Sequence, residues 1–590
     1  MITMTRRFLW ALLTCAAGSV LQLNAADDLA KAFAAPPDEA RPLTWWHWLD
    51  GNITKEGITA DWEAIKRAGL GGAYLFNCGV GMPKGNVKFM HPEWLAMVDH
   101  TIREAQRLGL KFGVHNCDGF SQSGGPWITP ETSMKELTWT ATDTQGPAAF
   151  DVALEKPRTK EDFYRDIAVV AFPLPQGGRL TGATLRGTIK PADLAKLADG
   201  KPQTKAEFPA SATGHTIEFV FAEPRTVRSV VCRNTAPHRW EEDFPITLEV
   251  SSDGRNFRRV GAFTANWDMQ HGGAITAACE EAAGKVFRLA FKNPWPASFG
   301  EIELTETARV HFAEAKAGLL RSRGHGAERR HHDAYPGPDR GRALAAELIV
   351  PRGAVKNLTA RMAADGRLKW NVPPGKWRII RLGYTSNGHY VSPATPEGRG
   401  LECDKLDAQV VRFHLDQYVG KLLQRAGPAA GRTFAAMEVD SWECGIQNWT
   451  AGFERRFRER LGYDLLAFMP ALLEGWIVDN ADVTERALWD WRRFLADQFA
   501  ENYFSVVAKW AAEKGLTYVG ESTGRQAYLY DVGWMRHSAV TMGEFWIGGG
   551  ARETAKLAAS SAHIYGRKVV GAEAFTATPE MGRWLNDPYS

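Results

Sequence analysis

Lys111-Phe112-Gly113-Val114-His115-Asn116-Cys117-Asp118 is a short apolar run that breaks off into a polar cluster. It reads as a buried strand whose C-terminal end opens into a loop. Two similar runs precede it, Leu43 to Leu49 and Ala73 to Phe76. Strand starts near 43, 73 and 111 repeat every 30–38 residues, the size of a βα unit. Thr54 can cap the first intervening helix, whose Ile58, Trp62 and Ile65 form one apolar stripe before Gly69, Gly71 and Gly72 end it. Pro92 suits the first turn of a second helix, with Leu95, Val98, Ile102 and Ala105 on its inner face.

That rhythm stops after Trp139. From about 140 to 395, short runs such as Ile217–Phe221, Arg228–Cys232, Ile246–Ser251 and Val260–Phe263 alternate apolar and polar residues, with Asp253-Gly254 as a hairpin signal. This is all-β material, one or two sandwiches, and Arg321 to Arg342 reads as a loop. Helix–strand alternation returns after about 396. Phe434–Asp440 is a strand and Thr484–Gly515 a long amphipathic helix. Strands follow at Thr517–Gly520, Val540–Phe545 and Val569–Phe575, the last two separated by a helix over Ala551–Gly566. Three strands before the insert and four after it predict an α/β protein, a (β/α)8 barrel interrupted after strand three by an all-β region. The expected divisions are a leader over 1–25, barrel over 26–139, β insert over 140–395 and barrel over 396–590. Because the sequence stops at Ser590, just beyond the seventh strand, a fragment or truncated reading frame is expected.

Composition narrows the function. Hydrophobic residues make up 44% and charged residues 24%, which excludes an intrinsically disordered chain. Lys plus Arg is 71 and Asp plus Glu 68, so the net charge of +3 gives no footprint for a nucleic-acid partner. The 22 tryptophans offer flat apolar faces suited to stacking on sugars, although most tryptophans fill cores. Arg6 and Arg7, the apolar run Phe8 to Val20 and the small Ala25 and Ala26 have the layout of a cleaved secretory signal. No later segment has 18 uncharged apolar residues, so no membrane span is expected and the mature chain reads as periplasmic or secreted. Cys78, Cys117, Cys232, Cys279, Cys403 and Cys444 are scattered without a CxxC pair and read as buried thiols.

In a (β/α)8 barrel the catalytic groups sit at the C-terminal ends of the strands. Those ends carry His47, Asp50 and Asn52 on strand one and Asn77 on strand two. His115, Asn116 and Asp118 follow strand three, and Glu438, Asp440 and Glu443 strand four. Glu521 ends strand five, Glu544 and Trp546 strand six, and Glu573 strand seven. Carboxylates from four strands would face one mouth, where burial without a use is costly. A general acid and base pair, with a divalent cation or sugar hydroxyls occupying the remainder, is the natural use, and glycoside hydrolysis fits it best. There is no P-loop, no nucleophile elbow and no His-Glu-x-x-His. Glu438 and Asp440 share strand four with Glu443 and are read as pointing to opposite faces.

Several long stretches carry a family likeness. Trp45-Trp46-His47-Trp48-Leu49-Asp50-Gly51-Asn52-Ile53-Thr54-Lys55-Glu56-Gly57 and Gly113 to Phe120, continuing to Gly124-Gly125-Pro126-Trp127, resemble glycoside hydrolase family 106, the α-L-rhamnosidases. Gly400-Leu401-Glu402-Cys403-Asp404-Lys405-Leu406 and Asp440-Ser441-Trp442-Glu443, running on to Gln447-Asn448-Trp449-Thr450, match the same family. The resemblance implies a barrel with inserted β domains, an inverting mechanism, dependence on calcium and a carbohydrate substrate containing L-rhamnose. By the same resemblance Glu443 falls at the general acid, Glu573 at the general base, and Glu544 at a further carboxylate for the cation or the sugar. His47, Asp50, His115, Asn116, Asp118, Glu521 and Trp546 are the expected substrate-binding set. A retaining glycosidase with a strand-four acid and strand-seven nucleophile is an alternative, as is a sugar-binding protein that has lost catalysis. Leu248 to Gly254, continuing to Phe257 and Val260, is similar to a galactose-binding-like jelly roll.

Overall fold

A computed structural model of the chain describes residues 30–35, 38–233, 236–237, 244–264, 274–293, 295–319, 343–523, 529, 531–547 and 552–576. The expected leader over 1–25 and the loop over 321–342 lie outside the described residues.

Seven parallel strands form one sheet in chain order: β1 (Leu43–Leu49), β2 (Gly72–Cys78), β3 (Lys111–His115), β4 (Phe434–Val439), β5 (Thr517–Glu521), β6 (Val540–Trp546) and β7 (Val570–Thr576). Helices α1 (Lys55–Arg67) and α2 (Pro92–Leu108) separate the first three strands. Thr54 caps α1, its Oγ accepting from the Gly57 N–H at 3.0 Å, and Ile58, Trp62 and Ile65 are its buried residues. The sheet differs from the expected eight-stranded barrel: it is open, with β1 and β7 as unclosed edges, and no eighth strand stands among the described residues.

Alternation along the strands divides the sheet into two faces. The outer face, with Trp48, Leu75, Val114 and Met437, packs on the helices in one large apolar core. The inner face carries a smaller cluster of Tyr74, Phe76, Ala436, Val519 and Met542. Further along the same face, at the C-terminal ends, stand the carboxylates.

Between β3 and β4 the chain builds antiparallel sheets. Lys135–Ala153, Tyr164–Pro173, Lys356–Asn357 and Arg367–Ser386 make a four-stranded sheet. A six-stranded sheet centres on the paired strands Ser211–Arg233 and Ala274–Asn293 and has its own core around Phe219, Phe287 and Phe291. The first strand of this material begins at Lys135, ahead of the expected change at 140. The long helix expected over Thr484–Gly515 is helical throughout Ala481–Glu513, but its turn Ala500–Phe504 is π-helical. The six cysteines among the described residues are buried and none forms a disulfide there. No helix of the described residues is long and apolar enough to cross a membrane.

Gly113 lies mid-β3 because Tyr74 fills the space beside it. A Cβ there would meet the Tyr74 ring at 2.5 Å and the Ala436 carbonyl at 3.2 Å. Gly113→Ala is expected to cost about 1–3 kcal/mol through overpacking, measured as a lowered midpoint in thermal unfolding.

Candidate active site

The C-terminal ends of β4 to β7 bring five carboxyl groups together on the inner face. Ligand atoms of Glu438, Asp440 and Glu521 lie within 4.8 Å of one another, and so do those of Glu521, Glu544 and Glu573. Register explains this convergence: Glu544 and Glu573 are direct neighbours across β6 and β7, while Glu438 pairs with Val519, two residues before Glu521. Glu438 and Asp440 therefore share a face, contrary to the sequence reading. Residues two apart on a pleated strand point the same way.

Like charges this close cannot all stay ionised. Burial, then the charges of Asp440 and Glu573, push the Glu438 carboxyl well above its usual range. Burial and the neighbouring Asp440, Glu573 and Glu438 do the same to Glu521. Asp440 is raised to about 6 and Glu573 to about 8, burial being the largest cause in each. Glu544 is raised by burial and by Glu443, against a hydrogen bond from the Trp546 indole N–H. Glu443, exposed on the loop after β4, adds its charge to Asp440, Glu544 and Glu573, which places it beside the cluster.

A divalent cation is a natural counterweight. Both Glu438 oxygens and Glu521 Oε1 are buried without a hydrogen-bond partner among the described residues. The nearest base to Glu438 is His115, with Nε2 at 3.9 Å, and burial lowers that imidazole to about 4, leaving it neutral at pH 7. Calcium–oxygen distances of about 2.3–2.6 Å put opposite ligands about 5 Å apart. An all-carboxylate set within 4.8 Å fits such a hard cation.

The remaining expected residues are placed differently. His47 is exposed near the rim, its ring tilted over Phe76 at 5.4 Å. Phe76 in turn stacks on His115 at 4.9 Å. Asp50 ties down the loop after β2, accepting from the Val80 and Met82 N–H groups at 2.9 and 3.0 Å. His115, Asn116 and Asp118 were expected to contact substrate, but all three are buried with neighbouring protein groups as partners. Asn116 bonds Ser123 and His414, and Asp118 accepts from Asn77 at 2.8 Å and from Thr395. Burial raises Asp118 to about 7 against those bonds. These three support the wall behind the site.

Sequence reading missed the device that holds the Glu443 loop. Gln122 donates to the Asp440 carbonyl at 2.6 Å, and the Glu443 N–H donates to the Ser121 carbonyl at 3.1 Å, so residues 121–122 grip both ends of the loop. Glu402 grips that segment in turn, accepting from Ser121 Oγ at 2.7 Å, Ser123 N–H at 2.9 Å and Lys405 at 2.7 Å. Burial alone would push Glu402 up, but Lys405 and the two serines outweigh it and hold the carboxyl below its usual range. Tyr503, projected by the π-helical turn, donates to Gln122 and bonds Ser123. The one visible signal was the i,i+3 spacing of Glu402 and Lys405 in a segment already singled out for its family likeness.

An acid cluster at the C-terminal ends of parallel strands, carrying carboxyl groups of unequal protonation beside an exposed one, has the kinds of group that glycoside hydrolysis uses. A sequence profile of the alpha-L-rhamnosidase family, glycoside hydrolase 106, matches residues 34–590, and the chain belongs to that family. A rhamnosidase from Novosphingobium sp. PP1Y is similar in structure, with TM-score 0.78 and 31% identity over 95% of this chain and 54% of its own. The "Putative beta-glucuronidase" of Formosa agariphila is 29% identical over 562 residues, 95% of this chain and 36% of that protein. The chain thus spans about half or less of these two relatives.

Two outcomes follow. Lys405→Met leaves Glu402 buried without its cation and is expected to cost about 3–5 kcal/mol, while Glu402→Gln/Lys405→Met recovers much of it; chemical denaturation of the two variants checks this. The raised carboxyls keep protons that the unfolded chain has released, so stability without a divalent cation falls as pH rises from about 4.5 through 8. Calcium should raise the melting temperature, and more at pH 8 than at pH 5.

Proposed function

We propose that the chain is an exported, calcium-dependent glycoside hydrolase that removes terminal α-L-rhamnosyl residues with inversion, on a (β/α)8-type scaffold. The observation that carries this reading is the convergence of Glu521, Glu544 and Glu573 on one inner face, with the charge of Glu443 acting on two of them. Glu443, exposed at the mouth, protonates the leaving glycosidic oxygen, and Glu573 takes a proton from the attacking water on the opposite face. Calcium among Glu438, Asp440 and Glu521 would offset the negative charge that adds to burial in keeping Glu573 protonated and offer a ligand position to sugar hydroxyls. In this reading Trp546 and His47 meet the sugar, supported by the hydrogen bond of Trp546 to the clustered Glu544 and the exposure of His47. Arg6-Arg7 and the apolar run that follows support export to the periplasm or beyond.

The alternative is a retaining reaction, with Glu443 the acid and Glu573 the nucleophile, which requires those two carboxyl groups about 5–5.5 Å apart rather than the about 6.5–9.5 Å of inversion. Hydrolysis of p-nitrophenyl α-L-rhamnoside, followed by proton NMR of the first anomer released, separates the two. Inversion gives β-rhamnose, and a chelator abolishes the release. Glu443→Gln and Glu573→Gln are each expected to lower kcat by about 10²–10⁴ with unchanged circular dichroism. Cleavage of a p-nitrophenyl β-glucuronide in place of the rhamnoside would overturn the substrate assignment.

A further inference from the structure

A cavity of about 1030 Å³ among the described residues is lined by none of the five clustered carboxylates. It opens where the four-stranded sheet, the six-stranded sheet and the segment Leu473–Trp476 meet. That volume reaches the upper end of the roughly 300–1,000 Å³ usual for small-molecule sites, enough for several sugar units. We propose that this cavity is a second carbohydrate-binding site, one that takes a carboxylate-bearing oligosaccharide.

Its walls show three features that such a ligand needs. The first is a rigid donor wall. Arg378 is held from two sides, by Asp143 at 2.7 and 2.9 Å and by Glu474 at 2.7 Å, so its guanidinium keeps one orientation. Asp143 takes the Nε–Nη2 fork and Glu474 takes Nη1, so one N–H on each terminal nitrogen remains for a ligand oxygen, held in a fixed direction. The second is an aromatic platform. Trp139 lines the cavity half-buried, and among the described residues no other ring or cation packs on its face. Trp139 packs against the main apolar core and lines the cavity with what remains exposed, the kind of flat apolar surface beside polar groups on which a sugar ring sits.

The third feature sets the charge of the ligand. Arg158 and Lys376 line the same cavity, both exposed, and neither forms an ion pair among the described residues. Deeper in, Glu314 is half-buried and accepts from the Thr276 N–H and hydroxyl. The whole lining carries six Lys and Arg against five Asp and Glu, a small positive excess that rests on the unpaired Arg158 and Lys376 and favours uronic-acid carboxylates over a basic ligand. The wall also includes Ile446 and Asn448, on the loop that carries Glu443, so the bound chain lies against the back of that loop. The site goes beyond the hydrolytic reading and stands without it, because binding is measured directly.

Isothermal titration of the full chain in calcium-free buffer, with tetragalacturonate and its neutral methyl ester as probes, tests the proposal. Tetragalacturonate is expected to bind saturably and less tightly in high salt, and the ester about tenfold more weakly. Trp139→Ala is expected to weaken the acid probe about tenfold, and Arg158→Ala and Lys376→Ala about threefold each. Hydrolysis of the aryl α-L-rhamnoside should be unchanged in all three. Equal affinity for acid and ester would overturn the ligand class. Absence of saturation by either probe at millimolar concentration, or binding unaltered in the Lys376 and Arg158 variants, would overturn the site itself. The two surface variants keep the test decisive if Trp139→Ala fails to fold.

Discussion

Repulsion among five carboxyl groups on one sheet face is the constraint around which this molecule is arranged. Two unit charges about 4–5 Å apart at an effective dielectric of about 20 oppose one another by about 3–4 kcal/mol. The groups of Glu438, Asp440 and Glu521, and those of Glu521, Glu544 and Glu573, fall within that range. Glu521 answers by keeping its proton, pushed up by burial and by the neighbouring Asp440, while Glu438 stays buried with no hydrogen bond among the described residues. A carboxyl left in that state is costly. Its persistence at the centre of an acid cluster is what points to an incoming cation and separates this site from an ordinary ion-pair network.

Holding such a cluster requires a stiff frame, and the frame is built from neighbours remote in sequence. His115 remains neutral beside Glu438, because a buried imidazolium has no hydrogen-bonded counterion there. Glu402 reaches back by 281 residues to Ser121 and by 279 to Ser123, and through Ser121 and Gln122 it fixes both ends of the Glu443 loop. The buried Lys405 makes this possible, since an unpaired carboxylate at that depth would take up a proton and lose its grip as an acceptor.

Local chemistry was the legible part of the sequence. The Thr54 cap, Pro92 at the first turn of α2, the stripe Ile58, Trp62 and Ile65, and seven strand positions all depend on residues a few places apart. The carboxylates could be gathered because strand ends in a parallel sheet fall on one side, whatever the intervening chain does. Closure of the barrel was not legible in the same way, for it depends on what lies beside β1 and β7. The faces of Glu438 and Asp440 were misread although the two-residue period decides them. Asp118 and Asn116 were assigned to substrate because they follow a strand end. Whether such a residue faces the mouth or the wall depends on Thr395 and His414, hundreds of residues away. The π-helical turn at Tyr503 and the cavity beside Trp139 left no mark on the periodicity at all.

The loop over 440–448 is where these layers meet. Its first residues stand beside the acid cluster, while Ile446 and Asn448 form part of the cavity wall. Gly445 joins the two halves at φ +75°, and a Cβ there would sit 2.2 Å from His389 Nε2, so the backbone passes flush against the neighbouring segment. Trp442 is wholly buried and its indole donates to the Gly445 carbonyl at 2.6 Å, which closes the loop on itself. A loop pinned by an indole, a close backbone approach and the Gln122 bond has little freedom to move. Any influence of a ligand in the cavity on Glu443 must therefore pass through small displacements of this backbone, within a wall that is already packed on both sides.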